Sequence, residues 1–346
     1  MMLSEIYRPI RSQLQAAESL LLKELALKEG LLGELTRYIA RMPGKRIRPA
    51  LALLSASLPY SKKRGQRGVP GVNPKAVRLA VAVEMIHTAT LLHDDVIDGA
   101  SLRRGLSTLN AKWGDTLSVL SGDYLYSKAF CLLSELKDHR VLSLMSDTAH
   151  TVCKGEVAQI QHQYDVNLSV PRYLKIIQWK TASLMGACAQ AGALLGGASS
   201  SHAARLGDFG LNFGLAFQIM DDAQDLLGSE EVQGKSLGTD LGTGQMTLPL
   251  LYLRDVAGSQ ARAALAHWFN GNGNGVKGQP VSTKVDSDHG AELCAHLKDQ
   301  ALKYQVPAYC SATARGYLDR AKSALRPFPS SAYKASLLSL TDFLLP

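Results

Sequence analysis

The chain has 346 residues, 46% hydrophobic but only 6% aromatic, with a formal net charge of +8. Sparse aromatics among abundant Ala, Leu and Gly argue against a β-sandwich and for close-packed helices, and the length is ample for a sizeable core. The basic balance suits anionic substrates or an anionic membrane surface, while no basic, aromatic-interleaved stretch speaks for nucleic acid.

In chain order, the first residues lack the unbroken apolar core of a signal peptide. No run offers the roughly 20 continuous apolar residues of a membrane span without charge or Gly interruption, so a cytoplasmic protein is expected. Residues 3–40 read as mostly helix, with Leu14, Ala17, Leu21, Leu25 and Leu32 along one face. A GKRIRP turn at 44–49 precedes a short helix at about 50–57, and a basic Gly/Pro stretch at about 60–74 reads as a mobile loop. Lys75–Asp98 reads as one long helix, followed by a loop through Arg103, Arg104 and Gly105. Helices are predicted across 115–165, 171–195 and 201–227, and again from about 290 to the C-terminus. Residues 271–289 are low-complexity and read as a disordered insertion. The expectation is one all-α domain over 1–346 with flexible insertions at about 60–74 and 271–289. The five cysteines, Cys131, Cys153, Cys188, Cys294 and Cys310, have no ligand-like spacing and read as buried, reduced thiols.

One signature occurs twice: Asp94-Asp95-Val96-Ile97-Asp98 and Asp221-Asp222-Ala223-Gln224-Asp225. Each ends a long apolar run. Carboxylates at i and i+4 project from one helix face, a turn of about 5.4 Å apart. They stay ionised beside an apolar core only if cations offset repulsion and desolvation. A single copy is more often a solvated helix end. Two copies in matching contexts point to hard divalent cations, and Mg²⁺ is held by one or two carboxylates plus waters and substrate phosphates. The implied object is a metal-bridged diphosphate between two helices.

Basic residues cluster nearby in sequence. Lys45, Arg46 and Arg48 share one turn, Arg103 and Arg104 follow the first acidic cluster, and His87 lies seven residues before Asp94. Arg offers a planar fork to phosphate oxygens and Lys a point charge. Each feature has a plainer reading: an exposed basic loop, a salt bridge to Asp98, a core histidine. Lys180-Thr181 lies inside an apolar helix, where a lysine needs an anionic partner. Gln218 stands one turn before Asp222, and Gly234-Lys235 follows the second cluster. Together they describe an apolar cavity with a diphosphate-binding mouth, suited to ionising an allylic diphosphate.

At this point GKRIRP, HTATLLHDDVID, RRG, the Gly-Asp at 122–123, KTASL, FQIMDDAQD and GKSLGTDL, in that order, resemble the trans-isoprenyl diphosphate synthases. The similarity is strongest to the long-chain, octaprenyl-type group and covers nearly the whole chain. It implies the all-α isoprenoid-synthase bundle around one deep cavity, a homodimer, and head-to-tail (1′-4) condensation of isopentenyl diphosphate onto an allylic diphosphate. It implies three Mg²⁺ ions, with Mn²⁺ as a substitute: Asp94 and Asp98 as the first ligands with Asp95 supporting, and Asp221 as a further ligand beside Asp222 and Asp225. By the same resemblance Arg103, Lys180, Thr181, Gln218 and Lys235 bind the allylic substrate. Lys45, Arg48, His87 and Arg104 bind isopentenyl diphosphate.

Ala89 and Thr90 stand where short-chain members carry bulky aromatics, which implies an open tunnel and a long product such as a quinone side chain. Phe130 or Met145 would then close the floor, although small residues here also permit tight helix packing. The product's lipid nature implies peripheral membrane contact for its release. One departure is Gln245, which replaces the lysine of the family's GKxTLP segment. A short-chain synthase, a terpene cyclase and a non-catalytic subunit are the competing readings. Cyclases normally replace the second acidic motif, and such subunits lose acidic motifs; this chain keeps both.

Overall fold

Helix α1 (Leu3–Ile6) and a 3-10 turn (Arg8–Ile10) lead into α2 (Arg11–Leu25), and α3 (Gly30–Ala40) follows. In this computed structural model the described residues are 2–27, 30–58, 72–103, 105–228, 239–272 and 288–345. The single stripe expected across Leu14–Leu32 is broken, because the chain leaves the helix after Leu25. Gly30 starts the next helix at φ +79°, a conformation that L side chains resist. Ala17 and Leu25 are buried as expected, Leu14 and Leu21 half-buried, and Leu32, now on a separate helix, is exposed.

Helix α4 (Ile47–Ser57) is buried almost throughout. Helix α5 (Pro74–Ile97) is started by Asn73, whose side chain accepts from the Lys75 and Ala76 amides, with Pro74 in the first turn. By length and composition α5 could cross a membrane, but 67% of its most apolar stretch is buried inside the protein. It is a core helix, and Arg78 and Glu84 interrupt its apolar run.

Strands β1 (Leu102–Arg103) and β2 (Leu106–Ser107) form an antiparallel hairpin where a plain loop is predicted, pairing Leu102 with Ser107 and Arg103 with Leu106. Then come α6 (Leu109–Trp113), α7 (Asp115–Glu135), α8 (His139–Gln161) and α9 (Val170–Ile177). A five-residue π-turn (Gln178–Ala182) joins α9 to α10 (Ser183–Leu195) and is followed by α11 (Ser200–Leu227). The predicted helix 171–195 is thus divided by a wider, underwound turn. The rest is α12 (Thr239–Gly242), α13 (Leu248–Val256), α14 (Gly258–Asn272), α15 (Asp288–Lys303), α16 (Val306–Ala324) and α17 (Ala332–Leu344). Residues 59–71 and 273–287 lie outside the described residues, so the expected insertions meet helices at Pro74, Asn272 and Asp288.

The architecture is all-α. Helix α10 packs against α4, α8 and α11, α5 against α7 and α4, and α11 against α16. Buried apolar side chains form a cluster running from Ile6 to Leu340. Phe209 and Phe213 stack at 6.1 Å within it, and each such buried ring contributes about 1.5–3 kcal/mol. The cysteines correct the expectation of burial: Cys188 and Cys310 are buried, but Cys131 and Cys153 are exposed and Cys294 is intermediate. All five are free thiols.

Candidate active site

The first acidic cluster ends α5. Asp94 and Asp98 are half-buried, whereas the Asp95 side chain is 1% exposed. Asp95 turns to the hairpin, where its Oδ1 accepts from Arg103 Nε at 2.6 Å. Asn110 Nδ2 ties the same corner down, donating to the carbonyls of Asp95 (3.2 Å) and Ala100 (3.1 Å). Burial raises the Asp95 pKa despite the opposing Arg103 charge. Burial also lifts Asp98, to about 6; Lys180 opposes the shift and Asp94 adds to it. The i, i+4 pair is therefore Asp94 and Asp98, with Asp95 acting on the hairpin.

Lys180 sits at the centre of the π-turn. Its ammonium lies 2.6 Å from Glu156 Oε2 and 3.9 Å from Asp94 Oδ2. Burial works against its charge, but Asp94, Glu156 and Asp98 together outweigh that and hold its pKa above the ordinary lysine value. The anions that this half-buried lysine requires are thus Asp94 and Glu156, with Glu156 the nearer. Backbone proximity makes the pairing possible: a Cβ on Gly155 would lie 2.5 Å from the Lys180 amide nitrogen. Only glycine lets α8 approach the π-turn so closely.

The next residue leads to the second cluster. Thr181 Oγ1 donates to Gln218 Oε1 at 2.8 Å, and Gln218 Nε2 donates to Asp222 Oδ1 at 2.7 Å. The other Asp222 oxygen accepts from Tyr173 OH at 2.5 Å. Asp222 is buried and its pKa raised, chiefly by desolvation. Asp225 is also buried, accepting from Thr239 Oγ1 (2.7 Å) and the Asp240 amide (3.0 Å). Of its three aspartates, only Asp221 is exposed. The π-turn therefore bridges the two acidic helices, with Lys180 on one side and Thr181 on the other.

Among the described residues, no group of three or more His, Cys, Asp or Glu closes around a metal on its own. The donor set nevertheless suits Mg²⁺, which takes one or two carboxylates and completes its shell from water and phosphate. Asp94, Asp98 and Asp221 are the members that solvent or substrate can reach. Asp222 and Asp225 are committed to holding α11 against α9 and α12.

A cleft holding about 960 Å³ of empty space, open solvent included, opens beside this centre. Lys45, Arg46, Arg48, His87 and Arg103 all line it, with Leu25 and Phe217 among its apolar walls. The structure thus gathers the GKRIRP cations, His87 and Arg103 in one place. Arg104 and Lys235 lie outside the described residues. Neither Ala89 nor Thr90 is among the residues lining this cleft. Ala89 is fully buried, and the half-buried Thr90 donates its hydroxyl to the His87 carbonyl at 2.7 Å. Met145 is fully buried and Phe130 packs partly against the core. Gln245 is half-buried, its backbone N–H donating to the Asp240 carbonyl at 2.7 Å. Sequence reasoning missed Glu156, Tyr173, Glu84 and Thr239. Only Glu156 had a signal, the buried lysine needing an acid, and nothing in the sequence said which acid would meet it.

The chain matches the Polyprenyl synthetase family over residues 29–278. It is 33% identical over 340 residues to octaprenyl diphosphate synthase of Haemophilus influenzae, covering 98% of this chain and 95% of that protein. It is 38% identical over 266 residues to heptaprenyl diphosphate synthase component 2 of Geobacillus stearothermophilus, covering 77% and 79%. Its fold overlays the polyprenyl synthase of Caulobacter crescentus, solved with calcium and isoprenyl diphosphate, with a TM-score of 0.87. That pair is 32% identical over 99% of this chain and 97% of the other.

Proposed function

The chain belongs to the polyprenyl synthetase family and is a trans-prenyl diphosphate synthase, and from that premise we propose that it is Mg²⁺-dependent and makes a long-chain product. The observation that carries the proposal is the π-turn, where Lys180 meets Asp94 while Thr181 leads through Gln218 to Asp222. This joins both acidic clusters in one site and sets a cation between them.

Asp94 and Asp98 would hold Mg²⁺ on one side and Asp221 on the other. Bound there, the ions supply positive charge that stabilises the departing diphosphate. The chain's own residues do the rest. Lys180 adds a fixed positive charge where the allylic C–O bond ionises. Thr181 and Gln218, already hydrogen-bonded, orient that diphosphate. Arg103, steadied by Asp95, brings a planar donor to the edge shared with the basic cleft. Lys45, Arg48 and His87 hold isopentenyl diphosphate so that its double bond faces the developing cation. Apolar walls keep water from the cation, and the released diphosphate takes the proton lost on coupling. The octaprenyl and heptaprenyl names of its relatives support the long product. We also take the enzyme to be a cytoplasmic homodimer with peripheral membrane contact.

The test is elongation of an allylic primer with radiolabelled isopentenyl diphosphate, with product chromatography. A product longer than geranylgeranyl diphosphate is expected. Arrest at farnesyl or geranylgeranyl diphosphate overturns the long-chain reading, and cyclised hydrocarbon overturns the elongase itself. Asp94→Ala and Asp221→Ala should each lower kcat on the order of 10²–10³-fold, the scale of losing one preorganised stabilising group, while the fold survives. Near-normal turnover in either variant with Mg²⁺ present would sink its assignment as a metal ligand.

A further inference from the structure

The three cations of the GKRIRP turn have different destinations. Lys45 is exposed on the cleft, and its carbonyl accepts from Tyr7 OH at 3.0 Å. Arg46 lines the same cleft, but carboxylates take up its guanidinium. Its Nη1 meets Glu84 Oε1 at 2.5 Å, and its Nε lies 3.8 Å from Glu18 Oε1. The Glu84 side chain is 8% exposed. It lies three residues before His87 and four before Thr88, so all three share one face of α5 and line the same cleft.

A lone carboxylate on the wall of a diphosphate site would repel its ligand. Arg46 neutralises it, and in doing so spends its own charge on carboxylates. The backbone agrees. Arg46 caps α4 at φ 53°, ψ 31°, in the left-handed region. A non-glycine residue stays there only when its surroundings hold it. The ion pair to α5 is the visible hold. It fixes the kink that sends Lys45 and Arg48 to the cleft, and fixes their spacing to His87.

We propose that Arg46 and Glu84 are a positioning pair for the isopentenyl diphosphate site and that neither is a ligand of the diphosphate. This rests on the reading of the cleft as that substrate's site. If the pair positions the turn, breaking it from either side should weaken binding of the same substrate, and breaking it twice should add nothing.

The experiment is a double-mutant cycle of Arg46→Gln, Glu84→Gln and the double variant, with Lys45→Gln alongside, in steady-state kinetics against each substrate. Each single variant should raise KM for isopentenyl diphosphate about tenfold and leave KM for the allylic substrate nearly unchanged. The double variant should match the worse single one, since contacting residues couple rather than add. Arg46→Lys, which keeps the charge, should recover part of the loss.

A lowered KM in Glu84→Gln beside a raised one in Arg46→Gln would make Arg46 a diphosphate ligand and overturn the pair. Multiplying effects in the double variant, or equal losses for both substrates, also overturn it. A raised KM in Lys45→Gln with unchanged Arg46 and Glu84 variants overturns the pair alone. An unchanged KM in Lys45→Gln overturns the substrate reading and the pair with it. Should Glu84→Gln fail to fold, the part-exposed Arg46→Gln and Arg46→Lys carry the same comparison.

Discussion

Asp98 and Lys180 sit in one charge balance, and pH exposes it. The Asp98 carboxyl is raised to about 6 from 3.8, by burial above all. An acid whose folded pKa exceeds its unfolded one costs folded stability when it ionises: the cost is absent below about pH 4 and fully present above about 6. A cation beside the carboxylate offsets that cost. If Asp98 holds Mg²⁺ as proposed, the ion must displace a proton below pH 6 and need not above it. Mg²⁺ affinity should rise with pH up to about 6 and then flatten. Calorimetric titration near pH 5 in two buffers of different ionisation enthalpy should show proton release, which should vanish above pH 7 and in Asp98→Asn. Equal heats in both buffers at the lower pH would separate Asp98 from the metal.

Among elements, the contact of α8 with the π-turn decides where Lys180 stands. A π-turn projects its side chains at a different angle from the helices on either side, and such turns recur at functional sites. This one aims Lys180 at Asp94 and Thr181 at Gln218 within two residues. Gly155 permits the approach. In Gly155→Ala the new methyl would lie 2.5 Å from the Lys180 nitrogen and 2.8 Å from its Cα, against backbone that cannot rotate aside. Overpacking of this kind costs about 1–3 kcal/mol. A lower Tm is expected, together with a larger rise in KM for the allylic substrate than for isopentenyl diphosphate. An unaltered Tm and unaltered kinetics would mean that the two backbones part without consequence. The hairpin acts by the same logic, since Asp95 and Asn110 fix the strand that presents Arg103.

At the scale of the whole molecule, the long helices bear on product length. Helix α5 has 24 residues, about 36 Å at 1.5 Å per residue, long enough to border an extended chain. Thr90 is one turn before Asp94 and half-buried, so a Phe there is not forced wholly into the core, and on the proposed reading it would stand in the path of the tail. Ala89 is fully buried, and Ala89→Phe should chiefly destabilise the fold. Chromatography of the Thr90→Phe product should show shorter chains with condensation intact, while thermal unfolding separates the two variants. Unchanged lengths in a folded Thr90→Phe would move the gate to another residue, with Phe130 the next to vary.

Much of this was legible in the sequence because local chemistry carried it. Helical spacing, the Asn73-Pro74 start of α5 and the paired carboxylates at i and i+4 depend on neighbours a few residues apart, and they determined the all-α class and the acidic motifs. The tertiary structure decided which charges meet. Glu156 reaches Lys180 across 24 positions in the chain, Tyr173 reaches Asp222 across 49, and Arg46 reaches Glu84 across 38. Pairings of that range depend on how helices cross and on where a glycine lets two backbones touch. The same reason divides DDxxD by role: the repeat makes its aspartates look alike, and only packing turns Asp95, Asp222 and Asp225 inward and leaves Asp94, Asp98 and Asp221 within reach of solvent.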